Sequence, residues 1–177
     1  MRFFDLQRFR NIQRGTIPVQ EVLDFQQIRE LILKEKSLFI KHNSAIRRGS
    51  TIGGHELRNS PLSKLVEQID CNDFLGQIQS RTAISDLQYV SEIDTNCLSL
   101  LSYSNEGDGI GWHIDGTIYL ADRWAGILTI VENIKETNSK LELKPNGQLK
   151  TFPVSEMINT LVLFQGDQVP HRVRPIL

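Results

Sequence analysis

The apolar pattern of this chain changes period near Thr82, and that change limits the folds open to it. Before it, apolar residues recur at helical spacing. Val22, Phe25, Ile28 and Ile32 stand among charged residues, and Thr16-Ile17-Pro18 predicts the entrance of that helix, with Pro tolerated in the first turn. Lys34 to Lys36 mark its end, and Leu38-Phe39-Ile40 predicts a strand or a connection into one. Ser60 and Pro61 predict an N-cap and first helical position ahead of Leu62, Leu65, Val66 and Ile69. A third, shorter helix is expected after Asn72-Asp73, using Phe74, Leu75 and Ile78. Residues 46–57 contain Gly49, Gly53 and Gly54, lack a period, and predict a loop.

Beyond Thr82 the apolar runs are short and β-rich. Residues 87–90, 97–103, 125–131 and 160–164 predict strands, and 171–177 the beginning of another. Pro145-Asn146-Gly147 between 141–143 and 149–152 is a hairpin signal. Helices over 16–80 followed by strands over 82–177 predict an α+β fold, mainly β, whose second half is a sandwich or barrel. No linker, repeat or low-complexity segment divides it, so one domain over 1–177 is expected.

Composition excludes several function classes. A net charge of -1 supplies no global field for nucleic acid or a membrane surface. No apolar run is long enough to span a bilayer, and the first residues lack a signal peptide's apolar region. Cys71 and Cys97 form neither a CxxC motif nor a disulfide framework, which predicts a reducing, cytoplasmic setting. Arg2, Arg8, Arg10 and Arg14 among Phe3, Phe4 and Phe9 predict an arm that lays its aromatics on the domain, with a partner- or membrane-surface helix as the alternative.

The candidate chemistry lies in His113-Ile114-Asp115. On a strand, residues two apart share a face, so an imidazole and a carboxylate would converge there while Ile114 points away. His171, from a neighbouring strand, would complete a two-His-one-carboxylate face, the arrangement of non-haem Fe(II) oxygenases. Gly107, Gly109 and Gly111 precede His113 and let backbone approach a ligand closely. A phosphate loop fails on spacing, because Trp112 stands where the last Gly of G-x-G-x-x-G would fall.

Residues 103–115, 123–131 and 159–176 together resemble the Fe(II)- and 2-oxoglutarate-dependent dioxygenase superfamily. Gly107-Asp108-Gly109-Ile110-Gly111-Trp112-His113-Ile114-Asp115, Phe164-Gln165-Gly166-Asp167 and His171-Arg172-Val173-Arg174-Pro175 are similar to a bacterial subgroup of free-amino-acid hydroxylases and radical halogenases, as is Arg47-Arg48-Gly49. The resemblance covers the second half well and the first half thinly.

It implies a double-stranded β-helix, or jelly roll, with N-terminal helices on one sheet. It implies His113, Asp115 and His171 as iron ligands, 2-oxoglutarate and O2 as co-substrates, and a small, amino-acid-like substrate. Tyr103 falls where the family contacts 2-oxoglutarate; a buried strand aromatic is the other reading. The family anchors the far carboxylate of that acid with an Arg further along the strand after the last ligand His. The sequence stops at Leu177, so a shortened chain, a different anchor or an inactive protein is expected. Arg174 is the nearest substitute, but its odd separation from His171 places it on the opposite face. Asp115 occupies the position a halogenase leaves vacant for halide, which favours hydroxylation.

Other candidates serve the substrate. Arg47 or Arg48 would pair with a carboxylate. Asp108, Glu92 or Asp122 would meet an ammonium, or be surface charges. His55 would donate to substrate, or be a functionless loop His. Gly109 replaces a His common in the subgroup and predicts a roomier substrate site. Arg123 would brace the metal loop, and Leu161, Leu163, Ile127 and Thr129 would form a dry surrounding. The rival functions are a catalytically silent binding module and a cupin-like Zn or Mn protein that does not use 2-oxoglutarate. A peptide substrate is the further alternative.

Overall fold

The computed structural model describes residues 16–18, 24–91, 93–94, 97–116, 122–130, 139–153 and 160–177. Among them the elements run β1 (Thr16–Pro18), α1 (Phe25–Lys34), β2 (Ile40–Asn43), β3 (Arg47–Ile52), α2 (Gly54–Arg58), α3 (Ser63–Ile69), α4 (Asn72–Thr82), β4 (Leu100–Ser102), β5 (Gly109–His113), β6 (Trp124–Leu128), β7 (Lys140–Leu143), β8 (Lys150–Pro153), β9 (Thr160–Gln165) and β10 (His171–Val173). The strands form two antiparallel sheets. The smaller has the order β1-β9-β6; the larger runs β2-β3-β5-β10-β7-β8, with β4 also paired to β3. The predicted arm over Arg2–Arg14 and Phe3–Phe9, and Val22, lie outside the described residues.

Strand β9 is buried on both faces, which explains its unbroken apolar run. Alternation sends Val162 and Phe164 toward the larger sheet, where they pack with Leu141, Leu143 and Val169. Leu161 and Leu163 turn the other way, into a core built with Ile28, Ile32, Leu57, Leu62, Leu65, Val66, Phe74 and Ile78 of the helical segment. Each such side chain contributes roughly 1.5–3 kcal/mol on burial. The helices therefore lie behind the small sheet, and the space between the sheets is left for the site.

The helices follow local chemistry. Asp24 caps α1, its carboxylate accepting from the Gln27 N–H at 3.2 Å, and Ile28 and Ile32 share one face a turn apart. Ser60 shapes the turn before α3, accepting from the Leu62 N–H at 3.1 Å, and the helix starts at Ser63. The third predicted helix is longer than expected: α4 has 11 residues and ends at Ala83 in the left-handed region.

Several expectations are corrected. Residues 16–18 are a strand rather than a helix entrance, because β9 offers Thr16 and Ile17 a partner and Pro18 sits at the end of a sheet edge. Residues 46–57 are not a loop. They form β3, paired to β2 on one side and to β4 and β5 on the other, and then α2. Gly49, at φ 145°, is there because a Cβ would lie 2.7 Å from the Tyr103 ring. Residues 87–90 form no strand; the Tyr89 hydroxyl instead donates to the Ile69 carbonyl. The first half thus contains three strands, so helices and strands do not segregate at Thr82. The hairpin at Pro145-Asn146-Gly147 forms with Leu143 opposite Lys150.

Candidate metal centre

Register assembles the centre. Strands β5 and β10 are antiparallel neighbours in which His113 lies directly opposite His171. Opposed residues point to the same face, so the two imidazoles meet, with ring centroids 4.1 Å apart. Asp115, two residues past His113, returns to that face, while the intervening Ile114 is 56% exposed. Donor atoms of His113, Asp115 and His171 all lie within 4.8 Å of one another.

Hydrogen bonds aim the donors. The Nδ1–H of His113 donates to the Gly111 carbonyl at 2.8 Å, and that of His171 to the Val169 carbonyl at 2.9 Å. A carbonyl only accepts, so both rings carry their proton on Nδ1 and leave the Nε2 lone pair free for a metal. Burial pushes the His171 pKa below its ordinary value; the Val169 carbonyl opposes this, His113 adds to it, Asp115 opposes it and Arg123 adds to it. The ring is therefore held neutral, the form that binds metal. The two carboxylate oxygens of Asp115 face different partners: Oδ1 lies 3.8 Å from His171 Nε2, and Oδ2 lies 3.8 Å from Arg123 Nη2. Arg123 also donates to the Gly116 carbonyl at 2.9 Å, tying the segment after Asp115 to the start of β6.

Packing closes the back of the centre. The Asp115 N–H donates to the Gly166 carbonyl at 2.9 Å. A Cβ on Gly166 would lie 2.1 Å from Asp115 Oδ2, so only glycine fits beside the carboxylate. Phe164, fully buried, packs edge-on against His171 with ring centroids 4.8 Å apart. Neither Phe164 nor Gly166 was assigned to the site from sequence. The alternation along β9 points to Phe164; the collision at Gly166 has no sequence signal beyond the glycine itself.

Two imidazole nitrogens and a carboxylate oxygen fit a divalent first-row metal ion, and holding it from one side leaves the opposite positions open to other ligands. Burial of His171 to 6% exposure and the oriented Nδ1 bonds match what such a site requires of its surroundings.

The other candidates divide between the faces of the larger sheet. Arg47 lies opposite Ile110, on the side of the metal residues, whereas Arg48 lies opposite Gly109 and turns out to Asp108 at 3.7 Å. Tyr103 lies against Gly49, its hydroxyl buried and without a hydrogen-bond partner among the described residues. Burial raises its pKa, opposed by the Arg47 guanidinium and reinforced by Asp108. Arg174 sits on the outer face with Arg172, the two flanking buried Glu142 at 3.1 and 2.5 Å, and so points away from the metal residues. Trp112 is also outside, beneath Lys144 and Arg172.

Further placements correct the sequence reading. Asp108 is 3% exposed and is neither a surface charge nor aimed at the metal face. It accepts from the Ser104 and Asn105 N–H groups and the Asn105 amide. Burial raises its pKa, but those hydrogen bonds and Arg48 hold it below the ordinary value. Gly109 does not enlarge a pocket, since a Cβ there would lie 2.8 Å from the Val173 carbonyl and 2.9 Å from the Pro175 backbone. Leu161 and Leu163 belong to the helix-facing core; Ile127, opposite Val162, does face the larger sheet, with Thr129 two residues on. His55 is on α2, its side chain 86% exposed beside Glu56. Asp122 is exposed, and Glu92 lies outside the described residues.

No family model and no curated protein matches this chain. Among solved structures it is similar to a prolyl-4-hydroxylase from Pseudomonas putida, with a TM-score of 0.59 and 15% identity over 88% of this chain and 82% of that one. At that identity the likeness is one of fold: antiparallel sheets with a few helices.

Proposed function

We propose that this chain is an Fe(II)- and 2-oxoglutarate-dependent oxygenase that hydroxylates an unactivated C–H bond of a small, amino-acid-like substrate. The observation that carries the reading is His113 opposite His171 across β5 and β10, with Asp115 at their side. The fold likeness to a prolyl-4-hydroxylase supports it, as does the resemblance of residues 103–115 and 164–175. The finer architecture proposed is a jelly roll of one domain, working in a reducing cytoplasmic setting. Among the described residues no helix is long and apolar enough to cross a membrane.

Bound iron would supply oxidative decarboxylation of 2-oxoglutarate to succinate and CO2, coupled to insertion of oxygen into the substrate. The chain's part is placement. His113 and His171 turn Nε2 toward the centre because the Gly111 and Val169 carbonyls hold their Nδ1–H groups. Arg123 partly neutralises the outer oxygen of Asp115, which leaves Oδ1 turned toward the imidazoles. Phe164, Val162 and Ile127 form an apolar wall that keeps water from the centre. Asp115 fills the third protein position, which supports hydroxylation over halogenation.

The test is succinate formation from 2-oxoglutarate by protein loaded with Fe(II), assayed with free amino acids and with prolyl peptides, the latter suggested by the neighbour's name. Succinate with hydroxylated product supports the proposal. A chlorinated product in the presence of chloride overturns the hydroxylase assignment. Stable metal binding without succinate would favour a silent binding module or a cupin-like protein.

A further inference from the structure

The register of β3, β5, β10 and β7 aligns Arg47, Ile110, Val173 and Leu141 in one row across the larger sheet. The next row toward the ligand end is His113, His171 and Leu143. Two residues of β10 separate the rows, but three of β5 do: His171 faces His113 while Val173 faces Ile110. That bulge keeps Ile110 on the same face as His113 despite their odd separation. Arg47 is therefore a cation at the end of an apolar row on the metal side. Strand spacing puts its Cα about 8 Å from that of His113, within reach of a ligand seated between them.

Arg47 Nη2 is buried and has no hydrogen-bond partner among the described residues, and the same holds for the Tyr103 hydroxyl. Gly49, two residues along β3 from Arg47, makes room for the Tyr103 ring on that face. Arg48 is different, since its partner is Asp108. Burying a guanidinium nitrogen and a hydroxyl without acceptors is costly, and a bound anion relieves both. The Arg47 guanidinium and the Tyr103 hydroxyl also face each other: burial raises the hydroxyl's pKa, and the guanidinium lowers it by its charge and its N–H donors. The two groups therefore stand side by side and match the two oxygens of a carboxylate. With its raised pKa, Tyr103 remains a donor.

We propose that Arg47 and Tyr103 form a carboxylate-binding subsite for a ligand whose other end lies at His113, Asp115 and His171. The assignment deepens the proposed function and rests on it only for what occupies the far end. The carboxylate belongs either to the 2-oxo acid or to the substrate.

Mn(II) affinity is measured first on wild-type, Arg47→Met, Arg47→Lys and Tyr103→Phe protein, and is expected to be equal in all four. The Mn(II)-loaded proteins are then titrated calorimetrically with 2-oxoglutarate and with 2-oxopentanoate, which lacks the second carboxylate. If the 2-oxo acid is the source, wild-type protein prefers 2-oxoglutarate by about tenfold or more, Arg47→Met and Tyr103→Phe reduce that preference, and Arg47→Lys restores part of it. If the substrate is the source, that preference is unaffected. Protein saturated with Mn(II) and 2-oxoglutarate then prefers free amino acids to their amides, and Arg47→Met removes this preference. Without ligand, Arg47→Met is expected to melt no lower than wild type, because it removes a partly buried charge that has no carboxylate partner among the described residues. Equal preferences in wild type and Arg47→Met in both arms, with Mn(II) affinity intact, overturn the subsite and leave the metal centre standing. Failure of wild-type protein to bind Mn(II) counts against the metal centre instead. Glutarate titrated into metal-free wild-type and Arg47→Met protein then decides the subsite, with equal affinities overturning it.

Discussion

Gly166→Ala should damage the metal centre chiefly through Asp115. The added methyl would lie 2.1 Å from Asp115 Oδ2, 3.0 Å from its Cγ and 3.1 Å from the Ala125 Cβ. Restoring ordinary van der Waals separation needs a displacement of roughly 1 Å or more. The carboxylate has little room to retreat, since its N–H is tied to Gly166 and its oxygens face His171 and Arg123. Overpacking of this kind costs about 1–3 kcal/mol, which lowers Tm by a few degrees in a chain of this size. The larger effect is on the metal: with one of three donors displaced, affinity should fall at least about 10–100-fold. Calorimetric Mn(II) titration, beside thermal melts with and without metal, reads both effects. Gly76→Ala is the control, because a Cβ there meets nothing within 4 Å and α4 should gain roughly 0.4–1 kcal/mol. A folded Gly166→Ala protein with wild-type metal affinity would refute the placement of Asp115 and the reasoning from it.

Other perturbations separate structural roles from ligand roles. Divalent metal at about 100 times its Kd should stabilise the wild-type fold by roughly 2.7 kcal/mol, and His171→Ala or a chelator should abolish the shift in Tm; a shift that survives His171→Ala contradicts the ligand set. Asp108 has a depressed pKa, so its stabilisation is present above its unfolded value of 3.8 and is lost as pH falls through the folded value. Asp108→Asn should cost about 1–2 kcal/mol at pH 7 and flatten the acid limb of the stability profile, which urea unfolding from pH 2 to 7 would show. Glu142→Gln leaves Arg172 and Arg174 without their carboxylate; because both can partly rehydrate, the loss should be about 1–3 kcal/mol by urea denaturation, with metal affinity unchanged.

The grouping of the candidate metal residues was legible in part because strand alternation is a strict rule. His113 and Asp115 at two-residue spacing follow from that rule, whereas adding His171 as the third candidate leaned on the family resemblance as well. Pro145-Asn146-Gly147 and β9 were legible for similar reasons, a turn with defined chemistry and an unbroken apolar run. The parity that separates Phe164 from Leu161 and Leu163 was also present in the sequence, but it has meaning only once the helices are known to lie behind β9. β3 was hidden because Gly49 and Gly53 read as loop residues, and its strand character comes from neighbours on both sides. The choice between Arg47 and Arg48 depends on cross-strand register, and the bulge in β5 shifts parity between Ile110 and His113. Neither is encoded locally.

The most direct measurement is the visible spectrum of the protein under anaerobic conditions as Fe(II) and then 2-oxoglutarate are added. A weak charge-transfer band that needs both additions and is lost in His171→Ala is the predicted result. Protein that binds Fe(II) yet yields no band with 2-oxoglutarate, or a band that persists in His171→Ala, would contradict the account.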